Sequence, residues 1–495
     1  MGRMTETGAP GYDCPMSTGS RGLRGLFALS LLTCLALSAG AGSAPASQAD
    51  YDRGHELGLE AYKYGLPLLT MKKTYRNQTS INVPNGKGFG PANQFNRARK
   101  FANPRTRSVV APNFDTLYSI AWINLKKQPK VIHVPKIKNR YFVIPLMSPY
   151  LENFRNLGSV NRTKPGDYAI VGPGQGKVKL PGGVRKIKSP YDRVWIVQRI
   201  FAEPESGKDI EKVHKFQKRT TVTPLSKYGK KNWKPAKPKK KDKKVDDYAL
   251  PEGLAYFNKL GRELEKFPPP AADAAELEKL AEVGVGPGLK PADAGLDPDT
   301  LSGLSDAVAD GPSSVDADVR AAYIAGFADH NGYLVLPTGT YGTDYKFRAT
   351  VAKIGLGALL PTEAVYPLTL SDKTLAPLVG SRKFTMHIPK GQLPPARAFW
   401  SLTLYDLDGF LVPNPAERYA IHDRTDLHFN PDGSLDLYLQ NSRPADPDRA
   451  RNWLPSPADG REYRLIWRIY DPKPKMVPGI LDGSGWTAPT ISAAP

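Results

Sequence analysis

The chain has 495 residues, of which 40% are hydrophobic, and a formal net charge of +21. That length suits two or three packed domains, and the charge favours acidic partners: phosphate-bearing polymers, acidic cell-wall polymers or an anionic membrane surface. Both cysteines, Cys14 and Cys34, fall in an N-terminal leader, so its removal excludes disulfides, cysteine-ligated metals and a thiol nucleophile.

The leader reads as a secretory signal. Arg21 and Arg24 precede an apolar run, Gly25–Leu37, of about 13 residues. That is near the secretory norm and short of the ~20 needed for a membrane helix. The small residues Ser38–Ala44 follow, so cleavage fits after Ala41 or Ala44, with translation starting at Met1 or Met16. Residues 1–44 are thus expected to be removed, and the protein to be secreted or held at the cell surface. A short amphipathic or buried helix is the competing reading. No later stretch has the length and apolarity of a membrane span. Cys34 sits inside the apolar run rather than at its end, against a lipoprotein.

Residues 45–104 are expected to form a helix and a loop. Leu57, Ala61, Tyr64 and Leu68 recur at helical spacing over residues 51–75, and Pro67 is expected to kink or end that helix. A loop, Asn77–Pro104, follows. From 105 to 226 the pattern is that of strands: Leu117–Leu125, Val131–Val134, Arg140–Met147, Tyr168–Val171 and Val194–Phe201. Leu117–Leu125 is apolar on both faces, as in a sandwich interior, and Gly/Pro turns separate the strands.

Residues 227–249 form a Lys/Pro-rich linker. Gly229–Lys244 holds nine lysines against one aspartate, a composition that cannot bury a core. It is either a solvated insertion or a tether for anionic polymers. With Trp233 as its one aromatic, it lacks the stacking residues of a single-strand nucleic-acid binder. Residues 250–360 read as helical, over Pro251–Phe267, Ala271–Val283, Asp316–Ala328 and Thr343–Leu356. Thr343 is the expected N-cap of the last, and Asp344 with Arg348 an i,i+4 pair. Residues 361–490 return to strands at Phe399–Tyr405, Ser434–Gln440 and Tyr463–Tyr470, with the turn Asn430-Pro431-Asp432-Gly433 before the second. Their alternation predicts antiparallel sheets with one wet face.

Longer runs carry a family likeness. VVAPNFDTLYSIAWINL (109–125), RYFVIPLMSPYLENFRNLGSV (140–160) and GPGQG (172–176) resemble the bacterial family called domain of unknown function 1254. GTYGTDYKFRA (339–349), FWSLTLYDLDGFLVPNPAERYAI (399–421), NPDGSLDLYLQ (430–440) and NWLPSP (452–457) resemble domain of unknown function 1214. The resemblance covers about residues 50–490, and the lysine-rich stretch departs from it. It implies a mainly β protein: an N-terminal β-sandwich and a C-terminal jelly-roll-like β domain joined by a helical region. It brings no catalytic residues.

The candidate site residues come from the sequence itself. In Asn113-Phe114-Asp115-Thr116-Leu117-Tyr118 a polar loop enters a buried strand. Asn113 would orient a ligand, Asp115 act as general base and Tyr118 as proton donor. The alternative is an Asx-turn holding the strand entrance. Arg199, inside VWIVQRIF, is either an anion clamp or a structural ion-pair partner, with Asp115 a candidate mate. Arg418 would grip a carboxylate or phosphate and Tyr419 stack on a ring, or Arg418 locks its loop through carbonyls. Trp400 is a further ligand-binding candidate. His422, Asp426 and His428 are metal-compatible, but Arg424 and the lack of a third histidine argue against a metal. Asp406-Leu407-Asp408-Gly409 reads as a turn rather than a calcium loop. There is no G-x-S-x-G, no H-E-x-x-H and no P-loop, and no cofactor is expected.

Three functional readings follow. The first is a binder of a small polar, saccharide-like or anionic ligand, in a cleft of the β domains. The second is an extracytoplasmic hydrolase or lyase using Asp115, Tyr118 and Arg418. The third is a scaffold held to acidic cell-surface polymers by the lysine-rich stretch.

Overall fold

The structure is a computed structural model that describes residues 44–107, 110–231, 233–235 and 249–494. The expected signal peptide, but for Ala44, and the linker residues 232 and 236–248 lie outside the described residues.

Helix α1 (Ala44–Gln78) continues past Pro67, which was expected to kink or end it, so the proline does not end the helix. Then come β1 (Asn96–Arg97), β2 (Thr116–Asn124), β3 (Lys130–Val134), β4 (Phe142–Met147), β5 (Asn153–Gly158), β6 (Gly166–Val171), β7 (Arg185–Lys188), β8 (Arg193–Phe201), α2 (Gly207–Arg219) and β9 (Thr221–Pro224). One sheet has the order β1-β2-β8-β4-β5 and the other β7-β6-β3-β9. Successive side chains on a strand point to opposite faces. Leu117, Ala121 and Ile123 of β2 and Ile196 and Ile200 of β8 therefore point one way. They meet Ile132 of β3 and Ile170 of β6 in the sandwich core.

The middle of the chain is helical: α3 (Leu254–Lys266), α4 (Ala274–Ala281), α5 (Pro298–Phe327) and α6 (Tyr345–Ile354). Helix α5 starts well before the expected Asp316. Asp297 caps it by accepting from Thr300 N at 2.8 Å, with Pro298 in the first turn. The cap of α6 is Asp344, not Thr343. Arg348 does not pair with the Asp344 side chain; its guanidinium turns into the interior, to the carbonyl of Gly342 and towards Asp273. The remaining faces of β2 and β8, with Ile120, Trp122, Trp195 and Val197, pack on Met71 of α1 and on Val351 and Ala352 of α6.

The C-terminal domain contains β10 (Ala364–Val365), β11 (Leu368–Thr369), β12 (Phe384–Ile388), β13 (Ala396–Asp406), β14 (Ala420–His422), β15 (Leu435–Gln440), α7 (Pro447–Arg451), β16 (Trp453–Pro455), β17 (Tyr463–Pro472), α8 (Val477–Asp482) and β18 (Ile491–Ala493). Its sheets have the orders β10-β17-β13-β14, with β11 also on β17, and β16-β15-β12-β18. Leu402 and Leu404, Leu435, Leu437 and Leu439, and Leu465, Trp467 and Ile469 fill the space between them. β15 keeps the expected alternation of buried and half-buried residues. β17 does not have the wet face that alternation predicts. Its outward residues Arg464, Ile466, Arg468 and Tyr470 are buried as well. Tyr470 and Phe399 stack on each other and meet Tyr141 of the first domain edge-on, which closes that face over.

Candidate functional site

A cavity lies where the outer faces of the two large sheets come together. β2 and β8 pair in a register that sets Tyr118 opposite Arg199, Ile120 opposite Val197 and Trp122 opposite Trp195. Each pair projects from the same face, away from the sandwich core. Tyr118, Ile120, Trp195, Val197 and Arg199 form one wall, and Ile466, Arg468 and Tyr470 of β17 form the other. Val351 and Ile354 of α6, with Leu334, Leu336 and Leu356, close it with apolar surface. It leaves about 120 Å³ for the centres of water-sized molecules, room for a small organic ligand rather than one water. Among the described residues no aspartate or glutamate lines it.

Two arginines supply its charge. Arg199 is 8% exposed and Arg468 4%. Arg199 donates to the carbonyls of Gly357 (2.8 Å) and Val197 (3.4 Å) and lies over the Tyr118 ring. Arg468 donates one bond, from Nη2 to the carbonyl of Ala111 (2.8 Å), and lies over the Tyr405 ring. Its Nη1 is buried with no hydrogen-bond partner. Burial opposes both charges, yet the surrounding phenols, Tyr118 and Tyr470 among them, more than offset it and push both groups upward. A buried guanidinium nitrogen left without an acceptor costs about 1–3 kcal/mol, and the side chain that carries this one lines the cavity. Ala111, which accepts from Arg468, holds a left-handed φ of 48°, backbone strain of the kind that gathers at ligand sites.

Asn113 also lines the cavity. Its Oδ1 accepts from the backbone N–H groups of Asp115 and Thr116, the Asx-turn considered as the alternative. Its Nδ2 donates to the Tyr470 hydroxyl, which ties the loop to β17.

Asp115 does not line the cavity. It is fully buried, with Oδ1 2.7 Å from His422 Nδ1 and 2.9 Å from Arg424 Nη2. Ser401 Oγ donates to Oδ2 at 2.7 Å. Burial alone would raise its pKa; His422, Arg424 and Ser401 outweigh that and hold the carboxyl well below the usual range. A carboxylate so stabilised binds protons poorly. Nor does it pair with Arg199. Because the Ser401 hydroxyl goes to the carboxylate and not to the imidazole, the three are no nucleophile relay. Arg424 continues to Glu203 (3.1 Å) and lies on the rings of Phe201 and Phe399. The cluster is a polar clasp between the two β domains.

The other candidates are dispersed. Arg418 donates to the carbonyls of Ala450 (3.2 Å) and Arg451 (2.7 Å), which locks its loop, the alternative considered for it. Tyr419 is buried against Phe114. Trp400 packs with Trp467 between the C-terminal sheets. His428 pairs with Asp448 and Asp426 with Arg451, so His422, Asp426 and His428 do not converge. Among the described residues no group of three His, Cys, Asp or Glu could hold a metal. Asp406–Gly409 is a turn: Gly409 N donates to Asp406 O and Phe410 N to Asp406 Oδ1. Of the seven residues singled out, Asn113, Tyr118 and Arg199 share the cavity. Arg468, Tyr470 and Tyr366 were missed. The alternation in YRLIWRIY was a usable signal for the first two, because it aligns Arg468 with Tyr470 on the face opposite Trp467.

A second buried carboxylate joins the domains. Glu363 accepts from Tyr141 (3.2 Å) and Asn161 (2.6 Å) of the first domain. Burial pushes it up to about 7. A raised carboxyl favours the protonated fold, so its contribution is complete below the unfolded pKa and is lost as pH rises towards 7. Glu363→Gln is expected to leave stability near unchanged at pH 5 and to raise it by about 1–3 kcal/mol at pH 8. Urea unfolding at the two pH values checks this.

The fold and cavity define a β-rich two-domain protein with a buried, doubly cationic pocket between its sandwiches. Family models then match twice: "Protein of unknown function (DUF1254)" over residues 92–224 and "Protein of unknown function (DUF1214)" over residues 363–474. The first matched region contains Arg199 and the second Arg468, so each contributes one of the two arginines. Among solved structures, the VPA0106 protein from Vibrio parahaemolyticus is similar, with TM-score 0.62 and 21% identity over 89% of this chain and 100% of that one. It shares the fold. An uncharacterised protein from Burkholderia cenocepacia aligns at TM-score 0.41 and 12% identity, over 91% of this chain and 96% of that one. No curated protein matches.

Proposed function

We propose that the protein binds a small organic anion, a carboxylate on an apolar body, in the cavity between its β domains. The observation that carries this is the buried Arg468 Nη1 without a partner, in a cavity with Arg199 and no lining carboxylate. A carboxylate offers the two acceptors that a guanidinium fork matches. The leucine, isoleucine, valine and tryptophan walls suit a hydrocarbon body better than a saccharide, whose hydroxyls need many polar partners. Capture is favoured over hydrolysis or elimination because the cavity has arginines and phenols but no group suited to take up a proton. In this reading the C-terminal jelly-roll-like domain supplies Arg468 and the exported protein meets its ligand outside the cytoplasm. Among the described residues no helix is long and apolar enough to cross a membrane.

The test is a thermal-shift comparison of benzoate, benzyl alcohol and benzylamine, which share a body and differ in charge. Benzoate at a hundredfold excess over its Kd is expected to stabilise by about 2.7 kcal/mol, with no rise for the other two. Equal shifts from benzoate and benzyl alcohol would remove the anion reading.

A further inference from the structure

A second hollow lies beside the cavity. An outer hollow of about 420 Å³ shares Gln78, Val110, Trp195 and Leu356 with the inner one. Its walls come from Tyr62 and Leu66 of α1, Val315 of α5 and Ala352 of α6.

The residues shared by the two hollows are held in place. Gln78 Oε1 accepts from the indoles of both Trp122 (2.8 Å) and Trp195 (3.2 Å), and the two rings stack at 5.4 Å. Gly357 presses on the far side: at φ +81° its position for a Cβ lies 3.0 Å from the Trp195 ring. The same Gly357 accepts from Arg199, so one turn sets both Trp195 and the charged end.

Charge is also graded along the two hollows. Lys73, Arg107 and Lys353 line the outer one, and among the described residues no Asp or Glu does. Arg107 and Lys353 are paired with Asp406 and Asp316 outside the lining, whereas Lys73 is exposed. An anion therefore meets favourable charge in the outer hollow and its unmet donor at the inner end. Of the residues shared between the two, Val110, Trp195 and Leu356 are apolar and Gln78 is polar.

Resting on the anion reading, we propose that the ligand is elongated: a straight-chain alkyl carboxylate. Its head lies between Arg199 and Arg468, and its tail passes Trp195 into the outer chamber. A compact anion would leave the outer chamber's apolar wall uncovered. A neutral chain would leave Arg468 unpaired.

Titration calorimetry with straight-chain carboxylates from butanoate to dodecanoate tests this. Each buried methylene is expected to tighten binding about fourfold, and the gain is expected to continue after the inner chamber is full. Thr70→Trp, placed in the outer chamber only, is expected to weaken dodecanoate more than tenfold and butanoate less than twofold. Affinity that stops rising once the inner chamber is full would overturn the two-chamber ligand, and so would equal losses for both acids in Thr70→Trp. The wild-type series decides the matter even if that variant does not fold. Butanoate and benzoate that bind while longer acids gain nothing would sink the tail alone. No binding of any acid would sink the anion reading with it.

Discussion

Asp115→Ala is expected to destabilise the protein by about 3–5 kcal/mol, the cost of removing one partner from a buried ion pair. The substitution leaves Arg424 and His422 facing each other with no carboxylate between them, and frees the Ser401 hydroxyl. Asp115 enters from the N-terminal domain and its three partners from the C-terminal one, so the loss falls on the contact between them. The pH sign also follows. Asp115 is depressed in the fold, so its contribution is present above the unfolded carboxylate pKa and is lost as pH falls below it. Asp115→Asn keeps the shape and is expected to flatten that acid limb. Urea unfolding of Asp115→Ala, Arg424→Met and the double variant separates the pair from its parts. The double variant is expected to lose clearly less than the sum. Additive losses would show that the clasp is not one unit.

Arg468→Met is expected to weaken binding of benzoate about ten- to a hundredfold, the worth of a hydrogen bond to a charged group. Its effect on the unliganded fold is opposite in character. The substitution removes a buried guanidinium with an orphan nitrogen, gives up one bond to Ala111, and leaves a flexible apolar chain of similar reach. Thermal stability without ligand is expected to hold or rise while binding falls. Arg468→Lys keeps the charge without the fork and is expected to lie between. A variant that lost stability and kept its benzoate affinity would assign Arg468 to the framework instead.

These two residues also mark how far the chain's pattern could be read. The burial of Leu117–Ile123 on both faces was legible because apolar residues fall on both sides of the strand, Leu117, Ala121 and Ile123 on one and Ile120 and Trp122 on the other. The alternation of β15 was legible for the converse reason. Arg468 was missed because alternation tells which residues leave a sandwich core, not whether a second domain covers them. Tyr470 and Ile466 share its face, and that apolar company was the available hint. Asp115 stands out in the sequence, but its place in a clasp between the domains does not. Its partners Ser401, His422 and Arg424 lie 286, 307 and 309 residues away, beyond any local spacing. Pro67 failed as a stop signal because both ends of α1 are held by packing against α3 and α5, through Leu57, Leu68, Leu260 and Leu304 in one core. That burial outweighs the missing backbone bond at Pro67.

The most direct test of the central claim is a crystal of the protein grown with 4-bromobenzoate, with data collected at the bromine edge. The account predicts one strong anomalous peak in the chamber between β8 and β17, with the carboxylate within hydrogen-bond distance of Arg468 Nη1. Bromine found only at the surface, and an empty chamber beside Arg199 and Arg468, would contradict it.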